Sequence, residues 1–487
     1  MKRITFISLI FLCILAVGCQ FNELDDIATK SDTKVQLSPE ELLSLQYESS
    51  PEISQTEMFN LLRAFHDNKM EANTKSHSSL QPPSFQIKNK YYLDKNNTHK
   101  NNLHTKSISG SENIIPIYEI GIISEENNGI AIVSGDRRAP HVIAYIDKIK
   151  EHDTIAAGPN ALIQWGEMYI QNEVNRFDET RDSLYKSATS KISKELNIPI
   201  SSIQYKNIKS RISTETPISR SKPIDEVPSN LKLVVGILPM CPVTWGQWEP
   251  YNCMLPKGNC ERFFPGYVEN INYPAGAGTV TIAHLMACIS LIVRNQALGV
   301  SIDWTYLTEN KEIKAPDYFS AGDPLKRREM VGNLFKSIYN GTKSHTITNS
   351  NGVVTGSSCT VSDIEKYISN TFNHSSRKSW DINTIKKSIK AQQPVYVYGK
   401  PDNKPSDGVY PFILDGLKEC HGRIDNVPYD IDINYIHANF GFGNGYQDGY
   451  YLMDIEKVTI TFETTVPLIF KDKALTMIAN IQRKTRR

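Results

Sequence analysis

Cysteine is the side chain in this 487-residue sequence with the widest capacity for covalent chemistry, and eight are present. A thiolate serves as nucleophile or metal ligand, but either role needs neighbours that lower its pKa or complete a coordination shell. Cys241, Cys253 and Cys260 are separated by 11 and then 6 residues. That is no zinc spacing, and no paired histidines follow. Cys288 falls about three turns into an apolar stretch and reads as core. His284 in the same stretch reads as a satisfied core or groove histidine, and Thr279 and Thr281 as polar contacts of a helix start. With Cys359 and Cys420, six cysteines remain once Cys13 and Cys19 are set aside. They form no recognisable disulfide framework, and their pairing cannot be read from spacing. No metal or other cofactor is expected.

Cys13 and Cys19 lie in an N-terminus with the three-part layout of an export signal. Lys2 and Arg3 precede an apolar run from Ile4 to Val17, and Gly18-Cys19 closes it. The run is about 14 residues, short of the ~20 that a membrane-spanning helix needs. Ala16-Val17-Gly18-Cys19 resembles a bacterial lipobox, in which Cys19 becomes the diacylated first residue. The expectation is a signal peptide over 1–18, lipid on Cys19 as the membrane anchor, and a polar tether over 19–45. Glu23, Asp25 and Asp26 resemble surface-export signals of Gram-negative lipoproteins, which implies an outer-membrane or cell-surface location.

The elements that must position any chemistry follow from periodicity. Net charge is +1, with 40% apolar and 22% charged residues. That is a globular composition, with no global basic field to argue for nucleic acid and no acidic one to argue against it; nucleic acid is not expected as a partner. Ser54 and Glu57 form a capping box, and Met58, Leu61, Leu62 and Phe65 then define one helical face. Residues 72–112 are polar and read as a solvated insert. Ile114–Ile123 and Ile130–Val133 read as a hairpin, and Asn160–Tyr185 as a helix. The Pro-, Ser- and Arg-containing segment 208–230 divides the chain as an exposed linker. Beyond it, Leu231–Leu238 is strand-like and Thr279–Val293 a buried helix. Asn383 caps a helix running to Ala391. Val395–Tyr398, Pro411–Leu414, Ile431–His437 and Tyr450–Met453 are strands. A buried helix followed by a run of strands indicates an α+β domain.

Several segments, in order, resemble the streptopain family of papain-like cysteine peptidases. The stretch Asn128-Gly129-Ile130-Ala131-Ile132-Val133-Ser134-Gly135-Asp136-Arg137-Arg138-Ala139-Pro140, with Val142–Tyr145 behind it, resembles the family's propeptide, which also occurs alone as a Spi-type inhibitor. Trp245-Gly246-Gln247 with Pro250-Tyr251-Asn252 resembles the start of the mature enzyme, and Asn383–Gly399 and Tyr435–Asp454 match further on. The resemblance covers about 115–460. It implies a propeptide-like domain over 46–207, the linker at 208–230, and over 231–487 a two-lobed papain-like fold, a helix lobe facing a twisted antiparallel sheet.

Such a site needs a cysteine at a helix N-terminus, a histidine to hold its proton, an Asn or Asp to orient the histidine, and a glutamine for the oxyanion. Gln247 fits the oxyanion position. The family nucleophile motif Gly-Cys-Val-Ala-Thr-Ala-Met corresponds to Gly276-Ala277-Gly278-Thr279-Val280-Thr281-Ile282, so Ala277 stands where the cysteine would be. The family histidine motif Gly-His-Ala-Phe-Val-Ile-Asp-Gly corresponds to Val409–Gly416, so Tyr410 stands at the histidine. The last motif appears as His437-Ala438-Asn439-Phe440-Gly441-Phe442-Gly443. It keeps Asn439 and replaces both tryptophans by phenylalanine. His437 then reads as structural. Gln247 and Asn439 can persist through backbone hydrogen bonds, and Gly441 and Gly443 for backbone geometry. Loss of a nucleophile commonly costs on the order of 10⁶-fold in turnover, and a tyrosine is a poor general base at neutral pH. The expectation is a noncatalytic relative. It would bind peptide or protein in the old cleft, or regulate sibling proteases through its propeptide-like domain. The alternative is an active cysteine-type endopeptidase with a rearranged site.

Overall fold

The protein is described from a computed structural model over residues 34–70, 82–94, 99–100, 114–125, 127–150, 155–214, 230–262, 266–290, 302–315, 322–399, 410–423, 431–453, 460–462, 468–470 and 475–484. The expected signal peptide and Cys19 lie outside the described residues, as do 215–229 of the expected linker. Among the described residues, no helix is long and apolar enough to cross a membrane.

The first half contains β1 (Val35–Leu37), α1 (Pro39–Ser49), α2 (Gln55–Met70), β2 (Ser84–Leu93), β3 (His99–Lys100), β4 (Ile115–Ile123), β5 (Asn128–Ser134), β6 (Val142–Ile146), α3 (Ala157–Leu196), α4 (Tyr205–Ile208) and β7 (Ile212–Thr214). Three sequence expectations need correction here. The tether assigned to 19–45 is structured from β1 onward. Ser38 and Glu41 cap α1 reciprocally, and Val35 and Leu37 are buried where β1 runs parallel to β7. The insert assigned to 72–112 contains β2, a ten-residue strand paired to β4. Lysines and asparagines mask its alternation, but Tyr91 and Leu93 are buried. The helix expected over 160–185 runs from Ala157 to Leu196 as α3, ending at Asn197 in the left-handed conformation. The Ser54–Glu57 capping box is present, and Met58, Leu61, Leu62 and Phe65 are buried as the periodicity requires.

The second half begins with β8 (Asn230–Ile237), β9 (Lys257–Glu261), β10 (Val268–Asn272), α5 (Ala277–Ser290), α6 (Trp304–Thr308) and α7 (Asp323–Gly341). It continues with β11 (His345–Thr348), β12 (Val354–Ser358), α8 (Val361–Thr371), β13 (Phe372–Asn373), β14 (Lys378–Ser379), α9 (Ile382–Lys390) and β15 (Val395–Gly399). It closes with β16 (Tyr410–Arg423), β17 (Ile431–Asn439), β18 (Gly449–Leu452), β19 (Ile460–Phe462), β20 (Leu468–Phe470), β21 (Leu475–Ile478) and β22 (Gln482–Arg483). The cap of α9 is Asp381, not Asn383. The Asp381 carboxylate accepts from the backbone N–H groups of Asn383 and Thr384, and one carboxylate serving two donors sets the start two residues earlier.

The architecture is α+β, and its cores do not follow the linker. One sheet runs β14-β21-β15-β16-β17-β18-β6-β5-β4-β2-β3, with β8 also paired to β16. The halves join at β18 and β6, where Gly449, Tyr450 and Tyr451 pair antiparallel with Ile146, Tyr145 and Ala144. The core on this sheet mixes Phe65 and Tyr145 of the first half with Leu414, Tyr435 and Tyr450 of the second. A separate core beneath α5, α7 and α8 forms the helix lobe, with Trp245, Leu285 and Phe335 at its centre. Thus α5 is a core helix of one lobe that also contacts β16 of the other.

Candidate functional site at the junction of helix α5 and strands β16 and β17

The chain enters α5 through Gly276, whose φ is +80°. A Cβ there would lie 2.5 Å from the Ser357 carbonyl oxygen, so only glycine lets the backbone run against the end of β12 and turn into the helix. Ala277 is therefore the first helical residue, partly exposed at the positive end of the helix dipole. The adjacent loop is fixed by the Ala275 N–H, which donates to the Gln247 carbonyl oxygen at 3.0 Å. This sets the expected oxyanion residue beside the helix start.

Tyr410 begins β16 opposite Gly399 of β15. The next carbonyl, that of Pro411, accepts from the Thr281 hydroxyl at 3.4 Å, and the same hydroxyl donates to the Ala277 carbonyl at 2.8 Å. The start of β16 thus lies against the first turns of α5. Asn439 ends β17 opposite Ile413 of β16, and its side-chain oxygen accepts the Gly441 N–H at 3.1 Å. Gly441 and Gly443 have φ of +69° and +87°, and a Cβ on Gly441 would lie 2.6 Å from Val280 of α5. Ala277, Gln247, Tyr410 and Asn439 therefore sit on elements that meet at one junction.

Two histidines stand near it. His284, buried two turns along α5, hydrogen-bonds through Nε2 to the Trp245 carbonyl at 3.1 Å. Its Nδ1 has no partner among the described residues, although Asn439 is close enough to favour the protonated ring. Burial dominates and drives its pKa down to about 4, so the imidazole is neutral. His437 of β17 hydrogen-bonds through Nδ1 to Asp415 at 2.6 Å. Burial opposes its charge, but the Asp415 carboxylate outweighs burial and raises the pKa. Asp415 also accepts the Cys241 N–H at 2.9 Å. Asp448 accepts the Phe440 N–H at 2.9 Å, and burial pushes its carboxyl up to about 7. His437 is thereby committed to a buried structural cluster.

The sequence reading did not single out Cys359. Its sulfur would lie 2.6 Å from a Cβ placed on Gly278, behind the first turn of α5. It is buried, and burial pushes its thiol up to about 11, so it is protonated at neutral pH. The available signal was Gly278, a poor helix former whose missing side chain makes room for the sulfur.

The first half reaches the Asn439–Gly443 turn. Gln447 donates its N–H to the Lys148 carbonyl at 2.9 Å and accepts the Ala156 N–H at 2.7 Å. Lys148 Nζ donates to Asn444 at 2.6 Å. At the start of α3, a Cβ on Gly158 would lie 2.9 Å from the Phe440 ring. Phe440 stacks on Phe442 with ring centroids 5.9 Å apart, and Phe442 is 43% exposed.

The peptidase C10 family model matches residues 245–451, the span from Trp245 to Tyr451 that contains this junction. This matched segment is similar to the peptidase C10 family. Two solved structures are similar to this chain. A fragment of Prevotella intermedia prointerpain A, a cysteine-to-alanine mutant, is 13% identical, with a TM-score of 0.39 over 82% of this chain and 100% of that one. The active wild-type interpain A cysteine protease of the same organism is 13% identical, with a TM-score of 0.33 over 52% of this chain and 97% of that one. No curated protein matches. Within the matched segment, the helix start offers backbone donors and a dipole to an anion but no ionisable group of its own. Among the described residues, no group of three His, Cys, Asp or Glu side chains could hold a metal.

Proposed function

We propose that the protein is an exported, Cys19-anchored lipoprotein of the outer membrane or cell surface whose C10 domain does not cleave peptides and serves as a binding module for peptide or protein. The observation that carries this is Ala277 at the first position of α5, with Cys359, the sulfur against Gly278, buried and protonated behind the helix. Thiolate chemistry needs a sulfur at the helix N-terminus and an imidazole beside it. Tyr410 supplies no imidazole, His284 is buried and neutral, and His437 is engaged by Asp415.

The first half is engaged in cis with β18 and with Phe440. To inhibit a sibling protease in trans it would have to give up strand pairing and core contacts. This favours the binding reading over the regulatory one. The test is incubation of purified full-length protein alone and with casein. The expected result is a chain that stays at full length and produces no casein fragments. Self-processing between 208 and 230, or casein hydrolysis lost on substitution of Cys359 or Thr281, would overturn the proposal.

A further inference from the structure

Beside the junction, two cations of the first half meet an aromatic ring of the second. Gly443, Asn444 and Gly445 all have positive φ, so the chain after Phe442 turns back and brings Tyr446 against the segment that follows β6. The Asn444 N–H donates to the Thr244 carbonyl at 2.7 Å and the Gln447 N–H to the Lys148 carbonyl at 2.9 Å, which fixes the turn on both sides. Lys148 Nζ donates to the Asn444 side-chain oxygen at 2.6 Å and lies 5.0 Å from the centroid of the Tyr446 ring. Lys150 Nζ lies 4.7 Å from the same centroid. At three other places a cation over a ring is paired with an acid: Lys90 over Tyr118 with Glu52, Arg138 over Tyr47 with Asp136, and Arg327 over Tyr306 with Glu309. Among the described residues, neither Lys148 nor Lys150 has a carboxylate partner. The neighbouring carboxylate, Asp147, acts on the buried side, where it adds to the effect of burial in raising the Tyr145 phenol. Lys150 and Phe442 are exposed, and Lys148 and Tyr446 half-buried.

We propose that this composite patch, Lys148 and Lys150 of the first half with Asn444 and Tyr446 of the turn, is a docking site for an acidic peptide. Glu or Asp side chains of the ligand supply the carboxylates that Glu52, Asp136 and Glu309 supply at the other pairs. The exposed Phe442 ring at the head of the turn offers an apolar contact to a residue beside them. Charge complementarity selects the occupant, because a neutral or basic peptide gains nothing from two ammonium groups that lack a counter-charge. The inference rests on the binding reading and narrows it. The patch draws on both halves, so it exists only while β6 of the first half stays paired with β18. The retained first half is then part of the binding site rather than a remnant of lost catalysis.

Fluorescence anisotropy of purified full-length protein tests this with three labelled peptides on one scaffold, a central Phe flanked by Glu, by Gln or by Lys. The Glu peptide should bind most tightly, and its affinity should fall as salt rises. Lys150→Glu reverses an exposed charge that makes no hydrogen bond among the described residues. It should weaken the Glu peptide by roughly tenfold or more. Lys366→Glu, the same change of charge at an exposed position of α8, should leave that affinity unchanged. Equal binding of the Glu and Gln peptides, or an equal loss in both charge variants, would overturn the patch and leave the binding reading standing. Binding of none of the three peptides would overturn the patch and count against that reading as well. Capture by vesicles of anionic phospholipid without affinity for the Glu peptide would also overturn it, in favour of a lipid surface.

Discussion

The start of α5 and the turn from Asn439 to Gly443 face the same junction but carry different structural burdens. At the helix start, Ala277 is partly exposed and carries only a methyl group. At the turn, Asn439 satisfies the Gly441 N–H, Asp448 satisfies the Phe440 N–H, and Gly441 passes Val280 in a conformation that disfavours any side chain. A nucleophile contributes chemistry and little stability, so it can be replaced without disturbing the fold. The turn residues hold backbone and core together, so they remain whether or not the site reacts.

The largest effect should come from the cluster under the turn. Asp415→Ala leaves the His437 imidazole and the Cys241 N–H without their partner, and breaking a buried pair in this way costs about 3–5 kcal/mol. Urea unfolding measures it, and a loss below about 1 kcal/mol would remove the structural explanation of the turn. Gly441→Val should come next, at about 2–4 kcal/mol, from positive-φ strain and the close approach to Val280.

A smaller effect should follow pH. The Asp448 carboxyl is raised to about 7 in the fold, so the unfolded chain releases its proton first and stability falls as pH rises from about 4 to 7. The raised pKa of His437 acts in the same direction. Its contribution is complete below the ordinary histidine pKa of about 6.5 and is lost as pH rises through its folded value. The thermal midpoint should therefore decline between about pH 5 and 8, and the decline should be shallower in Asp448→Asn. A midpoint that rises over this range would contradict the assignment. The smallest effect should be at the empty position: Ala277→Ser should change stability by no more than about 0.5 kcal/mol, and a loss as large as that of Gly441→Val would erase the contrast.

Much of this fold was legible in the sequence because its signals are local. The capping box at Ser54, the apolar face of α2, the β4–β5 hairpin and the strand run after α9 all follow from periodicity within one element. What escaped was set at a distance. The polar look of β2 hides a strand that needs β4 to bury Tyr91 and Leu93, and β1 becomes ordered only by pairing with β7 across the length of the first half. The joining of both halves into one sheet through β6 and β18 has no local signature, because buried tyrosines read the same whichever neighbour they meet. The sequence reading named Ala277, Tyr410, Asn439 and Gln247 as one site, and the elements that carry them meet at one junction. Cys359 was missed because its closeness to α5 depends on how β12 and α8 pack behind the helix.

The central claim is that no reactive thiolate stands at the start of α5, and labelling with a thiol-directed epoxide tests it most directly. Purified wild type should incorporate no probe at neutral pH, while A277C with Y410H should incorporate it at position 277 if the junction is otherwise sound. Stoichiometric labelling of wild type, abolished by Cys359→Ser, would place a working nucleophile behind the helix and contradict the account.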